Sequence, residues 1–190
     1  GYVVTFRQVD PFFAIDLQDP YSPKVLGVLK IPGYSSYLHP YDETHIIGIG
    51  KDGSVVKLSL FDVSNVTEPK EIGNYQVSGK WSDSPVLSNH KALLFNSSRD
   101  LLVIPVITSD YSVWQGAYVF NITIQGGIVL RGQITHTENV SDVSYYSWVY
   151  SNPYHVKRAL YIDNVLYTIS DKKVMMHNLE TLDEINQVEL

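Results

Sequence analysis

The chain has 190 residues, enough for one sizeable core, and its 44% hydrophobic content is too high for disorder. Fourteen basic against 20 acidic residues give a net charge of −6 with no cluster of lysine or arginine, which argues against a nucleic-acid or anionic-membrane surface. There is no cysteine, which excludes disulfide scaffolds, zinc ribbons and thiol chemistry, and no apolar run approaches the roughly 18–20 residues that span a bilayer.

The N-terminus, "GYVVTFRQVD", has no basic stretch followed by an apolar one, so no signal peptide is expected in this chain; a removed leader or an origin in a longer protein fits that reading. Three strands follow from "YVVTF", "FFAIDL" and "KVLGVLKI". "SSYLHP" and "HIIGIG" read as a strand pair, then "KDGS" as a tight turn into "VVKLSLFDV", with "KEIGNYQV" returning. "HKALLF" and "LLVIPV" form the next pair around "SRD", followed by a hairpin from "YVFNITI" to "GIVLRG". "VKRALYI" and "VLYTIS" pair around "IDN", and "NLETLDEINQV" closes the chain as a hairpin rather than a helix.

These elements repeat. "FAIDLQDPYSPKVLG" at 13–27 superposes without a gap on "SLFDVSNVTEPKEIG" at 59–73, placing Asp16 on Asp62, Pro23 on Pro69, Lys24 on Lys70 and Gly27 on Gly73. A third copy, at 118–132, places Asn121 at the Asx position and Gly132 at the glycine, with the same eleven-residue interval. A fourth, weaker copy carries Asn178 and lacks the glycine. Intervals of 46, 59 and 57 residues suit propeller blades better than helical solenoids. Each copy is a hairpin whose Asx and proline make the turn, and two hairpins per period make a four-stranded antiparallel sheet that needs a neighbour on its open face. The expected fold is therefore all-β and propeller-like, one domain over 1–190. Its blades are placed at about 1–32, 34–78, 84–136 and 144–190, the first lacking its innermost strand. A β-sandwich is the competing architecture, but it does not account for the fixed Asx-to-glycine interval.

The stretch from "FRQVDPFFAIDL" to "THIIGIG" resembles the secreted β-propeller domain family of archaea and bacteria, distantly related to tryptophan–aspartate repeats. The hairpin copies are similar to the short LVIVD-type propeller repeat. "NHKALLF" with "LLVIP", and "LYIDNVLYTISD" with "NLETLDEI", extend the resemblance over essentially the whole chain. It implies the fold and an extracellular or cell-surface location; it implies no activity and no catalytic residues. The family's propellers usually belong to larger chains with more blades.

Four N-glycosylation sequons begin at Asn65, Asn96, Asn121 and Asn139. Asn65, Asn96 and Asn139 fall in expected turns, where a glycan projects into solvent, whereas Asn121 serves equally well as a turn residue. "HPYDETH" gathers His39, Asp42, Glu43 and His45, but a hairpin turn with this spacing does not converge them on a metal, and no Ca²⁺ loop pattern is present. Neither a nucleophile elbow, a His-Glu-x-x-His pair nor a phosphate loop occurs. Asp10, Asp16, Asp62 and Glu43 would serve a glycosidase only if folding paired two of them; Asp16 and Asp62 are explained as repeat-equivalent turn residues. Arg7, His39, His90 and Arg158 each fall near the end of an early strand of a blade. Such positions line a propeller mouth or bridge neighbouring blades. "SYYSWVYSNPYH" at 144–155 concentrates Tyr145, Tyr146 and Trp148, and together with "DSPVLSNH" and "TSDYSVWQG", which holds Trp114, it is the best candidate for a binding face.

These features suggest a non-enzymatic module for binding or assembly, with no cofactor and no metal. The incomplete first blade leaves an open edge that a strand from a protein partner or a second copy could fill. Glycans are a further candidate partner. The competing readings are a carbohydrate-active enzyme with its site at the propeller mouth, and a structural module of a secreted filament or larger protein.

Overall fold

In the computed structural model, which describes residues 1–5, 11–110, 112–137 and 152–190, the Asx residues of the repeat open their turns through their own side chains. Asp16 Oδ1 accepts from Gln18 N at 2.9 Å, Asp62 Oδ1 from Ser64 N at 2.8 Å, and Asn178 Oδ1 from Glu180 N at 2.9 Å. A carboxylate or amide oxygen two residues ahead of a backbone N–H replaces the strand pairing that ends there. The third copy differs from the sequence reading. Asn121 lies inside a strand, opposite Leu101, and the turn is opened by Thr123, whose Oγ1 accepts from Gly126 N at 2.9 Å.

The chain divides into two compact units, Gly1–Val77 with Thr123–Ile128, and Ser78–Ile122 with Val129–Leu190. The first holds a three-stranded sheet in the order β1 (Tyr2–Val4), β2 (Pro11–Asp16), β3 (Lys24–Lys30). It also holds a four-stranded one in the order β4 (Tyr34–Pro40), β5 (His45–Asp52), β6 (Val55–Asp62), β7 (Lys70–Gln76). In the second unit β10 (Leu101–Ser109) is central. It pairs with β11 (Val113–Thr123) on one edge and with both β8 (Trp81–Asp83) and β9 (Leu94–Asn96) on the other, and β12 (Gly127–Ile134) completes the sheet. A last sheet runs β13 (Arg158–Ile162), β14 (Val165–Ile169), β15 (Lys173–Asn178), β16 (Glu184–Glu189). Among the described residues every strand pairing is antiparallel and no α-helix occurs.

The inner strand of the third sheet is split, which the sequence reading of "HKALLF" as one strand did not foresee. His90–Ala92 is a 3-10 turn capped by Asn89, whose Oδ1 accepts from Lys91 N, and a second such turn spans Pro85–Leu87 behind the Ser84 cap. The cause lies across the ladder. Pro105 stands between the β10 residues that pair with β9 and those that pair with β8, and it offers no N–H to an inner strand. Its carbonyl is taken instead by the Ser84 hydroxyl at 2.6 Å.

Three of the four hairpins carry a bulge at one place. The register slips between Ala14 and Ile15, between Leu60 and Phe61, and between Met176 and His177, always two residues before the Asx. On the opposite strand the unpaired residue is Leu26, Ile72 or Ile185, each turned outward and more than a third exposed. The residue beyond it is the repeat glycine, Gly27 or Gly73, and in the last sheet Asn186. The fourth connection is shorter: Phe61 to Glu71 spans ten positions and His177 to Glu184 only seven, which is why the sequence interval to the glycine fails there.

The glycines mark where one sheet meets the turn of another. A Cβ on Gly27 would stand 2.1 Å from Val66 O and 2.9 Å from Pro69 Cδ, in the loop of the second sheet. On Gly73 it would stand 3.1 Å from Gly127 Cα, and on Gly132 2.7 Å from Leu182 Cδ1. The first unit's core is built on Phe12, Ile46, Phe61 and Val63, with the Phe12 and Phe61 rings stacked at 4.8 Å. The second unit's core packs Leu101, Val103, Ala117, Val119 and Ile134 against Val156, Leu166 and Leu179.

Candidate functional site

Two cavities flank the features that the sequence singled out, one in each unit. The larger, about 290 Å³, belongs to the second unit. Trp81 and Asp83 reach it from β8, Ser84, Pro85 and Ser88 from the 3-10 turn, Ile107 from β10, Gln115 from β11, and His155, Val156 and Lys157 from the approach to β13. The walls are fixed by bonds that run into the core. The Thr108 hydroxyl donates to Ser78 O at 2.7 Å and to Trp81 O at 3.2 Å, holding the end of the edge strand. The Gln115 amide bonds Val156 at both ends, and Asp83 Oδ1 accepts from Ser84 N at 3.0 Å. Trp81 and Val113 both pack on Ile107. Burial, with the nearby Lys157 charge, lowers the His155 pKa to about 4, so its imidazole is neutral at physiological pH. Lys157, among the described lining residues, pairs with Asp171 Oδ2 at 2.5 Å.

In the first unit, β1 has a strand neighbour on one side only among the described residues. Gly1 and Ile15 exchange both backbone bonds, at 2.8 and 2.7 Å, and Val3 stands opposite Phe13. In an antiparallel ladder the intervening residues point their amides and carbonyls the other way, so Tyr2 and Val4 present theirs to the outer edge. β1 corresponds to β5 of the second sheet, and among the described residues the position of β4 has no counterpart beside it. Next to this edge lies a cavity of about 270 Å³ with Tyr2, Leu38, Ile46 and Val63 as its apolar lining and His39, Asp42 and Glu43 at its polar side.

The individual candidates fall in different places. His39 is half-buried on β4, its Nδ1 2.9 Å from the Tyr37 hydroxyl, and burial lowers its pKa. His90 is exposed in a 3-10 turn and not at a strand end, and Arg158 is exposed at the start of β13. Trp114 sits on β11, edge-on to Tyr118 at 5.3 Å, away from both cavities. Arg7, Tyr145, Tyr146, Trp148 and the sequon Asn139 lie outside the described residues, as does Asp10. Two of the three segments read as a binding face meet at the larger cavity, through Asp83–Ser88 and His155, and the third contributes Gln115. Trp81 and Lys157 escaped sequence reasoning. The available signal for Trp81 was the Ser-Pro pair after it, a cap followed by proline that turns the chain back over the preceding residues.

Asn65 is exposed in its turn, its Oδ1 accepting from the Thr67 hydroxyl at 2.8 Å. Asn96, expected in a turn, ends β9 half-buried. Its Nδ2, the atom a glycan would occupy, donates to Tyr161 Oη at 2.5 Å, and its Oδ1 accepts from Arg99 N. Asn121 is half-buried in the ladder. In "HPYDETH", Asp42 turns back on its own loop: partial burial raises its pKa, but bonds from Thr44 N and His45 outweigh that and leave it below the usual value. No group of three or more potential metal ligands occurs among the described residues, and no described helix is long and apolar enough to cross a membrane.

Comparison with known proteins agrees with this architecture. The chain is 36% identical over all 190 residues to an uncharacterized protein of Archaeoglobus fulgidus, covering 26% of that protein. It is 36% identical over 187 residues to an uncharacterized protein of Methanocaldococcus jannaschii, 98% of this chain and 25% of that one. The chain thus spans about a quarter of the length of the curated relatives it matches. A family profile described as "Beta propeller domain" matches residues 1–182, and with four antiparallel sheets in hand the chain belongs to that family.

Proposed function

We propose that this chain is a non-enzymatic module of an extracellular or cell-surface assembly, and that the open edge of its first sheet takes a strand from a partner subunit. The observation that carries this reading is β1 itself. It is three residues long and, among the described residues, paired on one side, with the Tyr2 and Val4 backbone groups directed to the other. An unpaired edge is a template for β-augmentation. The adjoining cavity, apolar at Leu38, Ile46 and Val63, offers room for alternate side chains of an added strand. Against an enzyme stands the use of the carboxylates: Asp16, Asp42 and Asp62 are each occupied in closing their own turns. The exposed sequon at Asn65 supports the extracellular placement.

Native mass spectrometry of protein from its natural source tests both parts. Hexose-sized increments above 21.5 kDa support the extracellular life, and complexes that dissociate on Val4→Pro support strand capture. That substitution removes an edge donor while leaving the Gly1–Ile15 and Val3–Phe13 pairing to β2 in place. A bare monomer at every concentration, melting cooperatively, overturns the assembly reading.

A further inference from the structure

We propose that the last sheet of one chain packs on the first sheet of a second copy, so that copies join head to tail through the contact that already joins successive sheets. This goes beyond the strand-capture reading and does not rest on it, since it uses the faces of two sheets and no strand edge.

The inference comes from equivalent positions of the four hairpins, counted from the Asx residue. Four and two residues before it, each copy places two apolar side chains on the face that meets the next sheet. Phe12 shares a core with Phe61 and Val63 in this way, and Ala117 and Val119 share one with Leu166 and Leu179. The pairs Phe12 and Ala14, Leu58 and Leu60, and Ala117 and Val119 are all fully buried. The last pair, Val174 and Met176, is only half-buried. Two residues past the repeat glycine the pattern is the same. Leu29 and Ile134 join the two cores, while their counterpart Val188, two past Asn186, is 46% exposed. The last sheet therefore carries the face that meets a following sheet, and that face stands open.

The receiving side of the junction breaks at the other end. The residue just after the Asx is buried as Val63, Ile122 and Leu179, but in the first sheet it is Leu17, 58% exposed. In the turn, Pro69 is buried beside Gly27, whereas its counterpart Pro23 is exposed and Tyr21 is 96% exposed. Repeat arrays that end as single chains carry polar outer faces on their terminal repeats. Here both terminal faces stay apolar, and Leu160 and Ile162 on β13 extend the one on the last sheet. One chain thus presents both halves of one junction, which commits the occupant to a second copy. The two surfaces differ, so the contact is head to tail rather than two-fold.

The test is native mass spectrometry with size-exclusion chromatography on the whole chain. At about 100 μM, above the micromolar limit of standard-sized interfaces, the parent is expected at multiples of 21.5 kDa. Leu17→Lys and Val188→Lys each charge one exposed half of the junction, and each alone is expected as a monomer, with association weakened at least tenfold. Mixed in equal amounts, they are expected to give a 1:1 complex and nothing larger, because Leu17→Lys keeps an intact last sheet and Val188→Lys an intact first one. That rescue also shows that both variants fold. Val4→Pro, which blocks the strand edge, is expected to leave the multiples in place. A parent that stays at 21.5 kDa, lysine variants that assemble as the parent does, or a mixture that stays monomeric overturns the proposal. So do multiples that vanish with Val4→Pro and persist in both lysine variants.

Discussion

Gln115 holds Val156 from both sides: its Nε2 donates to the Val156 carbonyl at 2.8 Å and its Oε1 accepts from the Val156 amide at 2.9 Å, all four groups buried. The bonds tie β11 to the segment leading into β13, where no strand pairing is available to satisfy that peptide. Gln115→Ala strands two buried backbone groups at once. A loss of about 2–4 kcal/mol in chemical denaturation is expected, together with loss of the cavity wall that both residues form. A loss below 1 kcal/mol would show that water replaces the amide without cost.

The repeat glycines differ in what surrounds them, and this makes a graded prediction. Gly27→Ala drives a methyl against the backbone carbonyl of Val66, which cannot move without shifting its loop, so a loss of about 2–4 kcal/mol is expected. Gly132→Ala meets only the flexible end of Leu182, and the expected loss is under about 1 kcal/mol. Equal effects in thermal melts of the two variants would contradict the contact pattern.

His136 predicts the acid limit of the second unit. Its Nε2 lies 2.8 Å from the Thr168 hydroxyl and its Nδ1 3.1 Å from that of Ser170. Burial first, then the charges of Lys173 and His177, lower its pKa from 6.5 to about 4. The folded value lies below the unfolded one, so the unfolded chain takes up the proton first. The contribution is whole above pH 6.5, falls as pH drops from 6.5 to about 4, and levels off below that. The expected loss is up to about 3 kcal/mol from this group, with His155 titrating over the same window. Denaturation curves at stepped pH should show a clearly shallower acid slope for His136→Gln; an unchanged slope would remove His136 from the account.

Glycan mapping of protein from its natural source should separate two sequons. Asn65 is exposed with its oxygen held by Thr67, and occupancy is expected there. Asn96 spends its nitrogen on Tyr161, whose ring lies 5.2 Å under the Arg99 guanidinium, and it is expected bare. A glycan on Asn96 of the folded protein would mean that this contact opens.

The turns and the repeat were legible because they are local: an Asx side chain reaches an amide two residues on, and proline and glycine announce themselves at fixed distances. What stayed hidden depends on partners across the ladder. Asn121 matches Asp62 in sequence, yet β11 runs past it because Leu101 continues the pairing and Thr123 opens the turn. The division of the third inner strand is written in Pro105, about twenty residues from the Ser84 that answers it. Leu26, Ile72 and Ile185 read as ordinary strand residues, and only the slipped register shows them as bulge residues facing outward. Of the cavity, the segments were legible and the Trp81 wall was not, since its place depends on Ile107 in a strand paired across the ladder.

Pro105 also gives the domain a place to change. Because β10 asks for no amide at that point, the ten-odd residues from Ser84 to Leu93 are freed from the register that constrains every other inner strand. They can lengthen, shorten or exchange side chains while β8 and β9 keep their pairing on either side. Variation can therefore collect in this segment, beside the Trp81 cavity, and a lineage of such domains could take up new ligands there while the sheets beneath stay the same.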